Sequence, residues 1–156
     1  MINLIGDSQH DFRNKRSCLT SLLDLYAQVI DTYDTGTNKV VDIVYLDFQK
    51  AFGRVSHETL MLKVNAHGIQ GNAARWTRNW LAGRHQRVCI NQSYSNWAPI
   101  TSCVPKGSVL GLLLFLTYIN DLDINIVSKM FKFAYDTKLC HRARNPDDNR
   151  TTGKYQ

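Results

Sequence analysis

Strand-forming residues at 40–46 lead directly into an aspartate, Asp47, and this order strongly limits how the chain can fold. Apolar side chains alternate onto both sides of the run, which predicts a strand that is buried on both faces. A carboxylate at the end of such a strand is poorly hydrated and needs an ion-pair partner or a metal ion. Asp47 would alternatively cap a helix that begins near Gln49. One strand end by itself leaves both interpretations open.

Residues 130–140 contain a second aspartate at a second predicted strand end. Their alternating apolar side chains predict a strand, a tight turn near Tyr135 and Asp136, and a short return strand. A carboxylate at the tip of a hairpin can lie beside one at the end of a neighbouring strand. Asp47 and Asp136 would then form the start of a site for hard divalent cations. Two such ions about 4 Å apart would hold the attacking and leaving oxygens of a phosphoryl transfer.

Positive charge is concentrated in the middle of the chain. Residues 48–120 contain eight lysines and arginines and one acid, Glu58, which gives a net charge of +7, whereas the remaining residues together have a net charge of −1. A basic middle between segments that carry Asp47 and Asp136 suits a phosphate-rich partner. The alternative is a solvated basic face that binds nothing.

Several features indicate an intracellular protein, in the nucleus or the cytoplasm. The four cysteines are scattered without a C-x-x-C pair, which favours free thiols in a reducing compartment. The longest apolar run, at 109–116, is far shorter than the ~20 residues that span a bilayer. The first residues lack the order of a secretory signal. We therefore expect a protein that is neither secreted nor embedded in a membrane.

Capping residues and apolar spacing predict several helices and a hairpin. Ser17, Ser56 and Asn72 are positioned to cap helices. The first of these helices has an apolar stripe at 22–30 that we expect in the core, and the third directs Trp76 and Trp80 inward. A further apolar helix is expected at 109–119, and a hairpin is expected from 86–91 and 96–100 around a loop at 92–95.

Two motifs carry a specific resemblance: Tyr-Leu-Asp-Phe-Gln-Lys-Ala-Phe at 45–52 and Phe-Ala-Tyr-Asp at 133–136. Further matches follow in the same order, at 9–13, 16–20, 63–69, 80–88, 104–111 and 118–122. Together they resemble the reverse transcriptases of non-LTR retrotransposons, the jockey-like elements in particular. The similarity covers roughly residues 9–140.

The resemblance implies an α+β fold, in which helices pack on one side of a palm-like, mainly antiparallel sheet, with partial fingers and no thumb. Residues 1–39 would be part of the fingers. Residues 40–140 would be the palm with inserted fingers-side helices and a hairpin, and residues 141–156 a polar tail. The whole would be effectively one reverse transcriptase domain fragment.

The resemblance also implies an RNA-directed DNA polymerase, which joins a primer 3′-hydroxyl to the α-phosphate of a deoxynucleotide through two Mg²⁺ ions. Its partners would be an RNA template, a DNA primer and dNTPs. Asp47 and Asp136 would be the catalytic metal ligands. Phe52 would be a steric gate against a ribose 2′-hydroxyl, although a core aromatic is the alternative. The implied nucleotide-binding residues are Arg13, Phe48, Ala51, Phe52, Lys106 and Gly107.

The chain departs from the family pattern at positions that matter for catalysis. Tyr135 stands where the family has the first of two aspartates at the hairpin tip, and a phenol, with a pKa near ~10, is a poor metal ligand at neutral pH. Lys106 replaces the usual glutamine of its loop. A lost metal ligand implies about a thousandfold slower reaction or worse. We therefore expect a degenerate, catalytically impaired copy, and the alternatives are a non-catalytic RNA- or DNA-binding module and a relic without function.

Overall fold

The computed structural model describes residues 5–34 and 40–143, which form α-helices, a short 3-10 turn and antiparallel strands. The helices are α1 (Cys18–Asp34), α2 (His57–Ala66), α3 (Gly71–Leu81) and α4 (Val109–Ile119), and the 3-10 turn is Ala51–Arg54. The strands are β1 (Val40–Asp47), β2 (His85–Gln86), β3 (Cys89–Ile90), β4 (Ser93–Tyr94), β5 (Ala98–Pro99), β6 (Lys129–Phe133) and β7 (Asp136–Ala143). This is the α+β class that the sequence predicts, while the assignment of palm and fingers stays a prediction.

The chain divides into two compact units. The sheet unit comprises Ile5–Phe48 and the described residues from 122 onward. It contains a three-stranded antiparallel sheet in the order β1-β7-β6, against which α1 packs. The helical unit, Gln49–Asp121, contains α2, α3 and α4 and the short ladders β2–β5 and β3–β4. The predicted division into 1–39, 40–140 and 141–156 stays a prediction, and residues 144–156 of the predicted tail lie outside the described residues.

Helix α1 begins as predicted but exposes most of its apolar stripe. The Oγ of Ser17 accepts a hydrogen bond from the Thr20 N–H, which caps the helix. The helix packs through Leu25 on Phe131 and Cys140 of the sheet, and a sheet covers one side of a helix only. The prediction that the whole stripe is core was therefore wrong. Large side chains of α1 that are 47–68% exposed are Leu19, Leu22, Leu23, Tyr26, Ile30 and Tyr33.

Strand β1 is an edge strand of its sheet, and the prediction that both its faces are buried was wrong. Within the described part of the chain it pairs with β7 alone. Its side chains are consequently half-buried or exposed, and Tyr45 is 68% exposed. The hairpin of β6 and β7 is confirmed, with an eight-residue return strand rather than a short one.

The helical unit confirms some of the predicted boundaries and corrects others. Ser56 caps α2 by accepting the Thr59 N–H, as predicted. Helix α3 begins at Gly71 instead of after an Asn72 cap. Its buried positions include Leu81, whereas Trp76 is 56% exposed and does not point inward.

The predicted hairpin forms around a different turn. Strands β3 and β4 are joined by Asn91 and Gln92, both of which have positive φ angles of 47° and 64°. Such a pair is typical of a tight two-residue hairpin turn. The connection is therefore shorter than the loop expected at 92–95, and Tyr94 belongs to a strand. None of the helices within 5–34 and 40–143 has the length and apolarity needed to cross a membrane.

Candidate functional site

Asp47 and Asp136 lie directly opposite each other, at the ends of β1 and β7. The two residues are register partners in the antiparallel ladder. Directly opposed residues project from the same face of a sheet, with their Cβ atoms about 4.5–5.5 Å apart. The structure thus brings together two acidic residues that are far apart in the sequence, as the strand-end pattern predicts.

Both carboxylates are exposed, so the expected poor hydration of Asp47 was wrong. Asp47 shares its face of β1 with Val41, because six positions separate them on a strand of period two. Val41 packs against the cluster that joins α1 to the sheet, whereas Tyr45 is 68% exposed. The carboxylates therefore lie on the face that α1 covers, at the end where the helix leaves it open.

Asp47 does not cap the short helical turn that follows it. The cap position of the turn Ala51–Arg54 is occupied by Lys50, in a left-handed conformation and without a side-chain capping bond. The alternative interpretation of Asp47, as a helix cap, is therefore wrong, and its carboxylate is left available on the sheet surface.

A two-residue turn fixes the position of Asp136. Strand β6 ends at Phe133, which pairs with Asp136, so that Ala134 and Tyr135 form the hairpin tip. Ala134 has a φ of +50°, in the left-handed region that costs a residue with a Cβ about 1–2 kcal/mol. Tyr135 is 44% exposed. The tip thus lies one residue earlier than predicted, and local backbone strain is located beside the carboxylates.

Neither carboxylate is neutralised by an ion pair in the part of the chain that the structure describes. Among the described residues, no lysine, arginine or histidine forms an ion pair with either aspartate. Lys138 is on the same face, and its Nζ lies 5.8 Å from the ring centroid of Tyr45. In the described part of the chain, no three His, Cys, Asp or Glu side chains are grouped to hold a metal ion. What the structure shows here is a pair of opposed, exposed carboxylates.

A buried ion pair supports the hairpin from the opposite face. Lys132 is fully buried, and its Nζ donates to Asp123 Oδ1 at 3.0 Å. Burial raises the pKa of Asp123, but the nearby Ser8 hydroxyl and the hydrogen bond and charge of Lys132 outweigh it, and the pKa lies below its ordinary value of 3.8. This pair was not predicted from the sequence, although a lysine that alternates with apolar residues in a strand signals a buried partner.

Asp123→Asn is expected to destabilise the protein by about 1–3 kcal/mol at pH 7, because a buried cation then loses its charged acceptor. A carboxyl with a lowered folded-state pKa contributes stability above its unfolded-state pKa and loses it as the pH falls through the folded-state value. The difference between wild type and variant should therefore begin to shrink as the pH falls below about 3.8, and it should disappear below the lower, folded-state pKa. Chemical denaturation from pH 7 to pH 3 measures it.

The matched control is Asp121→Asn. Asp121 pairs with Lys63 in the helical unit, but its side chain is 47% exposed. Exposed pairs contribute about 0–1 kcal/mol, so this variant should lose less stability. A difference between Asp123→Asn and wild type that is the same at pH 3 and pH 7 would contradict the pairing of Lys132 with a carboxylate.

Of the predicted nucleotide-binding residues, two lie in the sheet unit. Arg13 Nη1 donates to Asp7 Oδ1 at 2.7 Å and to the Gly6 carbonyl at 3.0 Å. A phosphate would therefore have to compete with the carboxylate of Asp7, which is itself exposed. Phe48 follows β1 directly and is half-buried. Their nucleotide contacts stay predictions.

The other four lie in the helical unit, where the structure brings Phe52 and Lys106 together. The Lys106 Nζ is 5.6 Å from the ring centroid of Phe52, which also stacks on Phe115 at 4.4 Å and 21°. Phe52 is 8% exposed, which favours the alternative of a core aromatic over a gate that contacts a sugar. Ala51 begins the 3-10 turn, and Gly107 has a φ of +80° that favours glycine.

An α+β fold with two opposed carboxylates at strand ends, beside a tight hairpin tip, is the arrangement that the motifs predict. The chain belongs to the family described as reverse transcriptase (RNA-dependent DNA polymerase), which matches residues 1–146. The family prediction is thereby confirmed.

Two similar curated proteins come from Drosophila melanogaster. One is a probable RNA-directed DNA polymerase from transposon X-element, 28% identical over 143 residues, which are 88% of this chain and 15% of that protein. The other is a probable RNA-directed DNA polymerase from transposon BS, 29% identical over 125 residues, which are 76% of this chain and 13% of that protein. The chain thus spans less than a sixth of the length of these relatives.

Proposed function

We propose that the chain carries the carboxylate-bearing part of an RNA-directed DNA polymerase domain and that Asp47 and Asp136 are the remaining ligands of its metal centre. The observation that supports this is the direct opposition of the two residues in the β1–β7 ladder. Two carboxylates opposite each other repel, and no described cation pairs with either of them. A divalent cation would relieve this repulsion.

Magnesium fits the chemistry of these two residues. Mg²⁺ prefers oxygen ligands and keeps several waters, and it is often bound by one or two carboxylates together with substrate phosphates. Asp47 and Asp136 supply such oxygens on an exposed face, with room for water and phosphate. When bound, the ions of such a centre stabilise the charge on the attacking and leaving oxygens of a nucleotidyl transfer. The partners would be an RNA template, a DNA primer and dNTPs, in an intracellular location.

The proposal includes impaired catalysis. Tyr135 lies next to Asp136 at the hairpin tip, in place of the carboxylate expected there, and a phenol is a weaker ligand than a carboxylate. Lys106 lies over Phe52 where an amide side chain is expected. It can contact a phosphate but cannot both donate and accept hydrogen bonds as glutamine does.

Mn²⁺ binding, as a probe for the magnesium site, tests the proposal. Asp47→Asn and Asp136→Asn should each weaken Mn²⁺ binding at least tenfold, measured by electron paramagnetic resonance or calorimetry. Asp42→Asn is the matched control, because Asp42 lies on the opposite face of the same strand. Equal Mn²⁺ binding by the wild type and the three variants would overturn the metal-site assignment.

Primer extension on an RNA template tests the impairment of catalysis. The wild type should show no incorporation of dNTPs. Incorporation by the wild type that Asp47→Asn abolishes would contradict the proposed impairment.

A second candidate is a non-catalytic nucleic-acid-binding module. The helical unit favours it, because residues 49–121 contain eight lysines and arginines and two acids. Binding to RNA that weakens steeply with salt, in a protein that binds no Mn²⁺, would support this candidate over the first.

A further inference from the structure

Residues 71–99 of the helical unit have an unusual composition. They contain all three tryptophans of the chain and no aspartate or glutamate. Their cationic residues are the arginines Arg75, Arg78, Arg84 and Arg87. Proteins bind single-stranded nucleic acid with aromatic rings, on which bases stack, and with cationic side chains, which pair with phosphates. A segment that contains aromatic rings and arginines but no acids is suited to this kind of partner.

Three of these side chains form a compact stack on the hairpin, which we call the hairpin platform. The Cζ of Arg87 lies 4.0 Å from the ring centroid of Tyr94 and 4.6 Å from that of Trp97. Tyr94 and Trp97 are nevertheless 58% and 60% exposed. Cation–π contacts contribute about 0.5–1 kcal/mol each at exposed sites, so the two contacts favour this arrangement of the rings.

The platform lies on a hydrogen-bonded hairpin, with Tyr94 in β4 and with Arg87 and Trp97 in the stretches between the β3–β4 and β2–β5 ladders. Cys89 pairs with Tyr94 in the β3–β4 ladder, and the Ser95 N–H donates to the Val88 carbonyl at 3.0 Å. Asn91 forms part of the tight turn. These hydrogen bonds restrain the backbone that carries the rings, which lowers the entropic cost of stacking a ligand on them.

A second aromatic–arginine group is present in the same unit. Trp76 and Trp80 stack with ring centroids 6.2 Å apart and 11° between their planes, and Trp76 is 56% exposed. The Cζ of Arg84 lies 6.0 Å from the ring centroid of Trp80. Exposed aromatic area combined with positive charge is thus repeated along 71–99.

We propose that the hairpin platform of Arg87, Tyr94 and Trp97 binds single-stranded RNA by stacking bases on its rings, with phosphates near the surrounding arginines. The choice of RNA rests on the proposed function. Charge complementarity selects a polyanion: four arginines without an acid repel a second copy of the same surface, whereas they attract phosphates. A duplex fits less well, because its bases already stack on each other.

Fluorescence anisotropy with a labelled 12-nucleotide oligo(U) RNA tests the platform in the full chain. The double variant Tyr94→Leu/Trp97→Leu should bind at least tenfold more weakly, since stacking is worth about 1–3 kcal/mol per base. It removes no charge, so the slope of log affinity against log salt should not change. Arg87→Gln should instead reduce the slope by about one.

The matched control is Tyr26→Leu/Tyr33→Leu, which removes two equally exposed aromatic rings from α1 in the sheet unit. Its RNA affinity should stay within twofold of wild type. A direct readout comes from Trp76→Phe/Trp80→Phe, which leaves Trp97 as the sole tryptophan. Its fluorescence should be quenched when oligo(U) binds, and normal RNA affinity without quenching would overturn the proposal.

The affinities of the protein for different nucleic acids provide a further test. Single-stranded RNA should bind more tightly than the same sequence as a duplex, and at least as tightly as oligo(dT). Duplex binding of equal affinity, or full affinity in the leucine variant, would overturn the platform. Such a result, together with intact Mn²⁺ binding, would leave the proposed function standing. Self-association that the leucine variant abolishes, without RNA binding, would identify a protein interface instead.

Discussion

Tyr135→Asp is expected to strengthen Mn²⁺ binding at least tenfold and to make incorporation detectable in primer extension, where the wild type shows none, since a restored metal ligand is worth about a thousandfold in rate. The two-residue tip places residue 135 immediately before Asp136, which lies opposite Asp47. A carboxylate at 135 would add a third oxygen ligand and a third negative charge to the pair. Each tenfold gain corresponds to about 1.4 kcal/mol, well within what a metal ligand contributes.

Tyr135→Asn tests whether a smaller side chain at position 135 is enough to change Mn²⁺ binding, because it shortens the side chain without adding a carboxylate. We expect this variant to bind Mn²⁺ as the wild type does. The double variant Tyr135→Asp/Asp47→Asn should lose the gain, since the new ligand acts together with Asp47. If Tyr135→Asp binds Mn²⁺ more strongly but shows no incorporation, the proposed catalytic defect lies elsewhere, for example at Lys106. If Tyr135→Asp binds Mn²⁺ no better than the wild type, the proposal that position 135 has lost a metal ligand is wrong.

The order of motifs was sufficient to predict that Asp47 and Asp136 lie together. Each aspartate ends a β-segment, and antiparallel pairing of the hairpin with β1 brings the two ends into register. The turn type was less accessible, because Ala134 adopts a positive φ that its side chain disfavours. Local sequence preference gives no signal for such a conformation, which the surrounding strands impose.

Exposure could not be predicted, because it depends on what covers each element. The stripe on α1 and the apolar residues of β1 have the patterns of buried elements, yet Tyr26 and Tyr45 are 64% and 68% exposed. The prediction that Trp76 points inward also came from an apolar pattern of this kind. Periodicity identifies an apolar face but does not identify its neighbour. The carboxylates are exposed as a consequence, and the metal ion that we propose for them is one that keeps bound water.

Gly111→Ala is expected to destabilise the helical unit by at least about 3 kcal/mol. The added methyl group would overlap a backbone carbonyl, which cannot move aside as a flexible side chain can. A Cβ built at Gly111 lies 2.0 Å from the Pro105 carbonyl oxygen and 2.9 Å from Ser108 Oγ. Alanine is ordinarily better than glycine inside a helix by about 1 kcal/mol, so the clash reverses the usual sign. The free energy of unfolding from urea denaturation measures the effect.

The close approach at Gly111 holds the loop that carries Lys106. The Gly111 N–H donates to Ser108 Oγ at 3.0 Å, and the Val104 N–H at the other end of the loop donates to the Phe52 carbonyl at 3.0 Å. Displacing the Pro105 carbonyl should therefore also disturb the contact between Lys106 and Phe52. Chemical shifts of the Phe52 ring should change in Gly111→Ala even where the protein remains folded.

Gly53→Ala is the matched control, since this glycine also lies in a helical turn of the same unit. A Cβ there meets Lys50 Cβ at 3.8 Å, an ordinary van der Waals contact, and its φ is not positive. Alanine should be neutral at this position or stabilise the fold by about 0.4–1 kcal/mol, through the lower entropy of the unfolded chain. Because both variants add one methyl group, the difference between them isolates the contacts with the Pro105 carbonyl and with Ser108 Oγ. Equal free energies of unfolding for the two alanine variants would show that the start of α4 does not pack against the loop that carries Lys106.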